Sequence, residues 1–120
     1  MDIYRELILD HYKHPRNFGH LDRVDAAAEA YNATCGDKMR IEIKLKVKSI
    51  QDVRFSGEGC AISQASASML TEKAKGMSAT QIQKISLKDI QDMLSVTLTP
   101  SRVKCATLPL EVLQKAISSI

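Results

Sequence analysis

Residues 41–48 read Ile-Glu-Ile-Lys-Leu-Lys-Val-Lys, apolar and charged in strict alternation. Successive side chains of a strand point to opposite faces. The run therefore predicts a β-strand with Ile41, Ile43, Leu45 and Val47 buried and a lysine-rich outer face in water. Ile50 to Phe55 reads as a second strand after a short turn near Ser49, so the pair should be antiparallel. Gly57-Glu58-Gly59-Cys60 then breaks that strand.

The flanking segments carry helical signals. Asp2 can cap a helix with Ile3, Tyr4, Leu7, Ile8 and Tyr12 on its apolar face, ended by His14-Pro15. Arg16 to Gly19 reads as a loop, and Val24 to Ala33 suits either helix or strand. From Ala61 a helix presents Ile62, Ala65, Met69, Leu70 and Ala74, with Gly76 as its stop. Its many Ala and Ser residues suit close packing on a sheet. Ser78 and Gln81 resemble a capping box, and Ser86 can cap a segment with Leu87, Ile90, Met93 and Leu94. Pro100 interrupts, and a last helix uses Leu110, Leu113 and Ile117 with Pro109 in its first turn. Helices following strands predict an α+β fold with an antiparallel sheet, and 120 residues suit a single domain over 1–120.

Composition removes several functions. The net charge is only +3 and aromatics are 4%, so base-stacking platforms and phosphate-tracking grooves are not expected, and neither is a nucleic-acid partner. No apolar run approaches the roughly 20 residues that span a membrane. The acidic start Met1-Asp2-Ile3-Tyr4-Arg5-Glu6 is unlike an export signal, so a cytoplasmic protein with reduced thiols is expected.

Three cysteines remain to be explained, and none lies inside an apolar periodic stripe. Cys35 sits in the polar segment Asn32-Ala33-Thr34-Cys35-Gly36-Asp37. Cys60 opens a helix, whose N-terminal dipole favours a thiolate. Arg102 and Lys104 place positive charge near Cys105. An extended stretch through Gly36 would project Cys35 and Asp37 on one face. Three thiolates and one carboxylate make a tetrahedral set suited to zinc or to an iron–sulfur cluster. The spacings of 25 and 45 residues, however, match no compact CxxC pattern.

The motifs Cys35-Gly36-Asp37, Gly57-Glu58-Gly59-Cys60-Ala61-Ile62-Ser63 and Arg102-Val103-Lys104-Cys105-Ala106-Thr107-Leu108 resemble the three cysteine motifs of the NifU N-terminal/IscU/SufU family. The opening His11-Tyr12-Lys13-His14-Pro15-Arg16-Asn17-Phe18-Gly19 resembles that family's start, and the likeness spans the chain. It implies a three-stranded antiparallel sheet packed with N- and C-terminal helices. It implies a scaffold that takes persulfide sulfur from a cysteine desulfurase, builds a transient [2Fe–2S] cluster and hands it to iron–sulfur acceptor proteins. The SufU branch implies instead a sulfur relay that binds zinc through three cysteines and an aspartate. Carried over, Cys35, Cys60 and Cys105 would hold the cluster, and Cys35, Asp37, Cys60 and Cys105 a zinc ion. Cys35 is the expected persulfide acceptor, with Cys105 as the alternative if the IscU branch applies. Lys104 stands where the IscU branch has histidine, and Leu98-Thr99-Pro100-Ser101-Arg102 does not match that branch's Leu-Pro-Pro-Val-Lys. The wording leans to SufU, while the 45 residues from Cys60 to Cys105 match IscU in length.

Two other classes compete: a thiol enzyme using one cysteine and a histidine base, and a structural zinc domain that unfolds without metal. His11, His14 and His20 read as solvent-facing helix and loop residues. Ser63, Ser66 and Ser68 lack a nucleophile elbow.

Overall fold

The computed structural model describes residues 3–32, 36–95 and 98–120, with side chains from Arg5 onward. The order is α1 (Ile3–Lys13), β1 (Ala26–Asn32), β2 (Asp37–Lys46), β3 (Ser49–Glu58), α2 (Ala61–Ala74), α3 (Ala79–Gln83), α4 (Leu87–Leu94) and α5 (Pro100–Ser118). The strands form one antiparallel sheet in the order β1-β2-β3, the expected α+β architecture. The ambiguous segment resolves as strand: Ala26, Ala28 and Ala30 pair with Ile43, Ile41 and Met39.

The alternation in β2 builds the core. Ile41 and Ile43 are fully buried, as are Val53 and Phe55 of β3. Helix α5 packs on β1 and β2, α2 packs on β3, and α1 packs on α2. The strand nevertheless differs from the sequence pattern at both ends. It begins four residues earlier, at Asp37, and ends at Lys46. Val47 and Lys48 leave the ladder to close a two-residue hairpin, and Val47 is 92% exposed at φ 59°. Chain reversal takes precedence over periodicity there.

The outer face is not uniformly wet. Glu42 is buried, where its carboxylate accepts from the Leu21 N–H (2.8 Å) and Arg40 Nε (2.9 Å) and meets His20 Nδ1 (3.2 Å). Strand β3 also continues through Gly57 to Glu58 rather than breaking. At φ +131°, Gly57 approaches β2 so closely that a Cβ would lie 1.9 Å from the Lys38 carbonyl oxygen.

Four helical expectations also change. On α1, Ile8 and His11 are buried, whereas Leu7 and Tyr12 are exposed; Asp2 lies outside the described residues. His11 is only 7% exposed, and its Nδ1 lies 2.7 Å from Ser68 Oγ, so it is a packed polar residue and not a solvent-facing one. Helix α2 is buried nearly all round, Ser63, Gln64, Ser66, Ser68 and Thr71 included. Its small side chains let neighbours close in, and Ser66 Oγ donates to the Ala106 carbonyl at 2.6 Å. The last helix starts at Pro100, which occupies the first turn, where its missing N–H costs nothing. Pro109 therefore lies inside α5, and Arg102 to Cys105 are helical. Leu87, expected inside, is 44% exposed. The capping boxes at Ser78/Gln81 and Ser86/Asp89 are both formed.

Candidate metal centre

Asp37, Cys60 and Cys105 come from three distant points of the chain and converge at one end of the sheet. Asp37 is the first residue of β2, opposite Asn32 across the β1–β2 hairpin. Gly36 donates to the Asn32 carbonyl (2.8 Å) with φ +71°. That left-handed turn replaces the extended stretch expected to align Cys35 with Asp37, because the hairpin must close here. Cys35 itself lies outside the described residues.

Cys60 is the N-cap residue of α2 and is half-buried. The N-cap position leaves backbone N–H groups without helical partners. One of them, the Cys60 N–H, donates to Asp37 Oδ1 at 3.0 Å. Gly59 makes this contact possible: a Cβ there would lie 2.7 Å from Asp37 Oδ1 and 2.3 Å from Ser63 Oγ. Cys105, on the inner face of α5, is 1% exposed, and its sulfur lies 3.8 Å from the Ser101 carbonyl oxygen. Arg102 and Lys104, expected to supply charge to this thiol, are exposed on the same helix. Lys104 lines a groove with Tyr31, Asn32 and Thr107.

One carboxylate oxygen of Asp37 and the two sulfurs all lie within 4.8 Å of one another. A tetrahedral zinc ion with bonds of about 2.0–2.3 Å needs donor separations of about 3.5–3.8 Å, a small inward movement. Asp37 is fully buried, and its Oδ2 has no hydrogen-bond partner among the described residues. Burying a carboxylate oxygen without a partner is costly, and a cation removes that cost. The donor set therefore fits a metal.

Burial raises the Cys60 thiol pKa. Hydrogen bonds from the Ser63 N–H, the Cys105 thiol and the Ser63 hydroxyl outweigh it, against opposition from the Asp37 charge, and hold Cys60 below the ordinary thiol range. A thiolate is the form that binds metal and attacks sulfur. Gly59 and Ser63 lie inside the second cysteine motif, which assigns a role in the site to neither. Their signal was positional: a glycine just before Cys60 and a hydroxyl three residues after it.

The family model for the NifU-like N-terminal domain matches residues 3–120. The chain belongs to this family. It is 39% identical to the zinc-dependent sulfurtransferase SufU of Bacillus subtilis, over 97% of this chain and 90% of that protein. That alignment spans 133 positions, more than the 120 residues here, so it includes positions that this chain lacks. The iron–sulfur cluster assembly scaffold protein IscU of Escherichia coli K12 is 35% identical over 96% of this chain and 91% of its own length. Among solved structures, one from Fervidobacterium islandicum AW-1, described as a candidate iron–sulfur cluster assembly scaffold for the SUF system, superposes with a TM-score of 0.82. It is 28% identical and covers 93% of this chain and 94% of that one. The fold and family implied by the three cysteine motifs are borne out.

Proposed function

We propose that the chain, a single domain over residues 1–120, is a cytoplasmic iron–sulfur cluster assembly scaffold. In this reading it accepts persulfide sulfur from a cysteine desulfurase, assembles a transient [2Fe–2S] cluster as its cargo from iron and that sulfur, each sulfane sulfur being reduced to sulfide by an external two-electron donor, and passes it to acceptor proteins. The observation that carries the reading is the fully buried Asp37 carboxylate beside two thiols, with one oxygen on the Cys60 N–H and the other without a hydrogen-bond partner among the described residues. Cys35, two residues before Asp37 in the sequence, would complete the set: Cys35, Cys60 and Cys105 for a cluster, with Asp37 as the fourth donor for zinc. Membership of a family containing SufU and IscU supports the same reading.

Cys35 is the proposed sulfur acceptor. Its thiolate attacks the outer sulfur of the desulfurase persulfide, a new S–S bond forms, and the desulfurase thiolate leaves; no net oxidant is needed. The burial of Cys105 within α5 speaks against the alternative acceptor. Mass spectrometry after incubation with desulfurase and cysteine should find the added sulfur on Cys35, and label on Cys60 alone would exclude both candidates.

A zinc-dependent sulfur relay is the second reading, favoured by the 39% identity to the Bacillus SufU. Anaerobic purification with metal analysis separates the two. Coloured protein with iron and labile sulfide supports the scaffold, colourless protein with one zinc supports the relay, and protein that binds neither contradicts both.

A further inference from the structure

The two edges of the sheet end differently. On β3 the chain covers its own edge: Phe55 donates to the Asn17 carbonyl (2.9 Å) and accepts from the Gly19 N–H (2.8 Å). Nearer the hairpin, Ile50 donates to the Met77 carbonyl (2.9 Å) and accepts from the Gly76 N–H (2.8 Å). The backbone groups of Phe55 therefore point away from β2. Pairs along an antiparallel ladder alternate between bonded and non-bonded, so Ile41, opposite Phe55, turns its groups to Ala28 of β1. By the same alternation the N–H and C=O groups of Ala27, Glu29 and Tyr31 point outward from the sheet. Among the described residues one partner reaches them, Lys115 Nζ on the Glu29 carbonyl at 3.2 Å. This edge borders a groove of about 250 Å³ between β1 and α5, lined by Tyr31, Asn32, Lys104, Thr107 and Glu111 among others. The groove runs to the metal centre, since Asn32 pairs with Asp37 and Lys104 precedes Cys105.

We propose that the outer edge of β1 docks an extended, acidic segment of a partner protein, which joins the sheet as a fourth strand in the groove beside α5. The proposal is independent of what the metal centre holds. An open edge is a template for another strand, and β1 contains no proline to blunt it. In this mode of recognition, backbone pairing supplies the affinity and the flanking side chains supply the selectivity. Lys104, Glu111 and Lys115 are exposed along α5 beside the edge. The Glu29 carboxylate is already held by Arg40 NH1 at 3.2 Å. The two lysines outnumber the one free carboxylate and so favour acidic side chains on the incoming strand. A segment laid there ends beside Asp37, which brings its partner to the metal centre without covering the outer face of the sheet.

Nuclear magnetic resonance of the whole chain, titrated with a capped peptide of alternating threonine and glutamate, tests this. The peptide should shift the Glu29 and Tyr31 amide signals and protect both from hydrogen exchange. The same peptide with its backbone nitrogens methylated should do neither. Tyr31→Pro removes an N–H that serves no bond within the sheet, and an edge strand tolerates proline, so the variant should fold and lose the peptide. Circular dichroism checks its fold. Lys104→Glu leaves the backbone edge intact; it should weaken the glutamate peptide several-fold and strengthen its lysine counterpart. No protection of Glu29 and Tyr31 at millimolar peptide overturns the proposal, as does equal binding of the methylated peptide or unchanged affinity in Lys104→Glu. Self-association of the wild-type chain that Tyr31→Pro abolishes would give the edge to a second copy and overturn it too.

Discussion

The Asp37 carboxylate accepts the backbone N–H of Cys60 at 3.0 Å through Oδ1, so the first residue of β2 caps the helix that begins after Cys60. One side chain therefore ties the sheet to α2, its second oxygen buried with no hydrogen-bond partner among the described residues, and the carboxylate lies beside two sulfurs. This double duty separates two consequences of mutation. Asp37→Asn keeps the shape and an oxygen acceptor for the Cys60 N–H but loses the charge. It should fold, with zinc affinity reduced at least tenfold, as competition against a chromogenic chelator would show. Unchanged affinity would mean that Asp37 is a cap and not a ligand.

Gly59 has no space for a side chain. The added methyl of Gly59→Ala would lie 2.3 Å from Ser63 Oγ and 2.7 Å from Asp37 Oδ1. One of the two must move, and overpacking of this kind costs roughly 1–3 kcal/mol. Urea denaturation should show a loss of that size together with weaker zinc binding. Wild-type stability and wild-type zinc binding together would contradict the tight approach.

His11 gives the protein a pH dependence far from the thiols. Burial, then the positive charge of Arg16, lowers its pKa below the ordinary 6.5, against the opposing pull of Glu72 and Asp10. The unfolded chain therefore binds a proton at a higher pH than the folded one. Stability from this residue is complete above pH 6.5 and declines as the pH falls from there through the lowered folded value. His11→Gln cannot take up a proton and should flatten that part of the curve, measured as urea midpoints at pH 8, 6.5 and 5.5. An equally steep decline in the variant would place its origin elsewhere.

Metal removal should act locally. Ile41, Ile43, Val53 and Phe55 are fully buried by packing that involves no ligand. Chelation should therefore speed hydrogen exchange around Asp37, Cys60 and Cys105 and leave the middle of β2 and β3 protected. Loss of protection across the whole sheet would revive the structural-zinc alternative.

The sequence made legible what depends on local pattern. The alternation of residues 41–46 marks β2, Ser78 and Ser86 mark their helices, and the cysteine motifs mark all four proposed ligand positions, Asp37 among them. It misplaced what depends on contacts between distant segments. His11 looked like a surface residue because nothing in α1 reveals that Ser68 lies 57 residues away to receive it. Glu42 sits on the polar side of an alternating strand, yet Leu21 and Arg40 bury and satisfy it. Pro109 suggested a helix start because a proline rarely sits inside a helix, and the Ser66 bond to Ala106 lies in that same stretch of α5. The meeting of Asp37 with Cys60 and Cys105 was readable only by likeness to a family, since 23 residues separate Asp37 from Cys60 and the packing of α5 supplies the third ligand.

X-ray absorption at the zinc edge of the zinc-loaded protein tests the central claim most directly. Cys35, Cys60, Cys105 and Asp37 together predict three sulfurs at about 2.3 Å and one oxygen at about 2.0 Å. In Asp37→Ala the three sulfurs should remain, with water as the only source of the oxygen. A first shell of three sulfurs and one nitrogen, or one containing fewer than two sulfurs, would contradict the account.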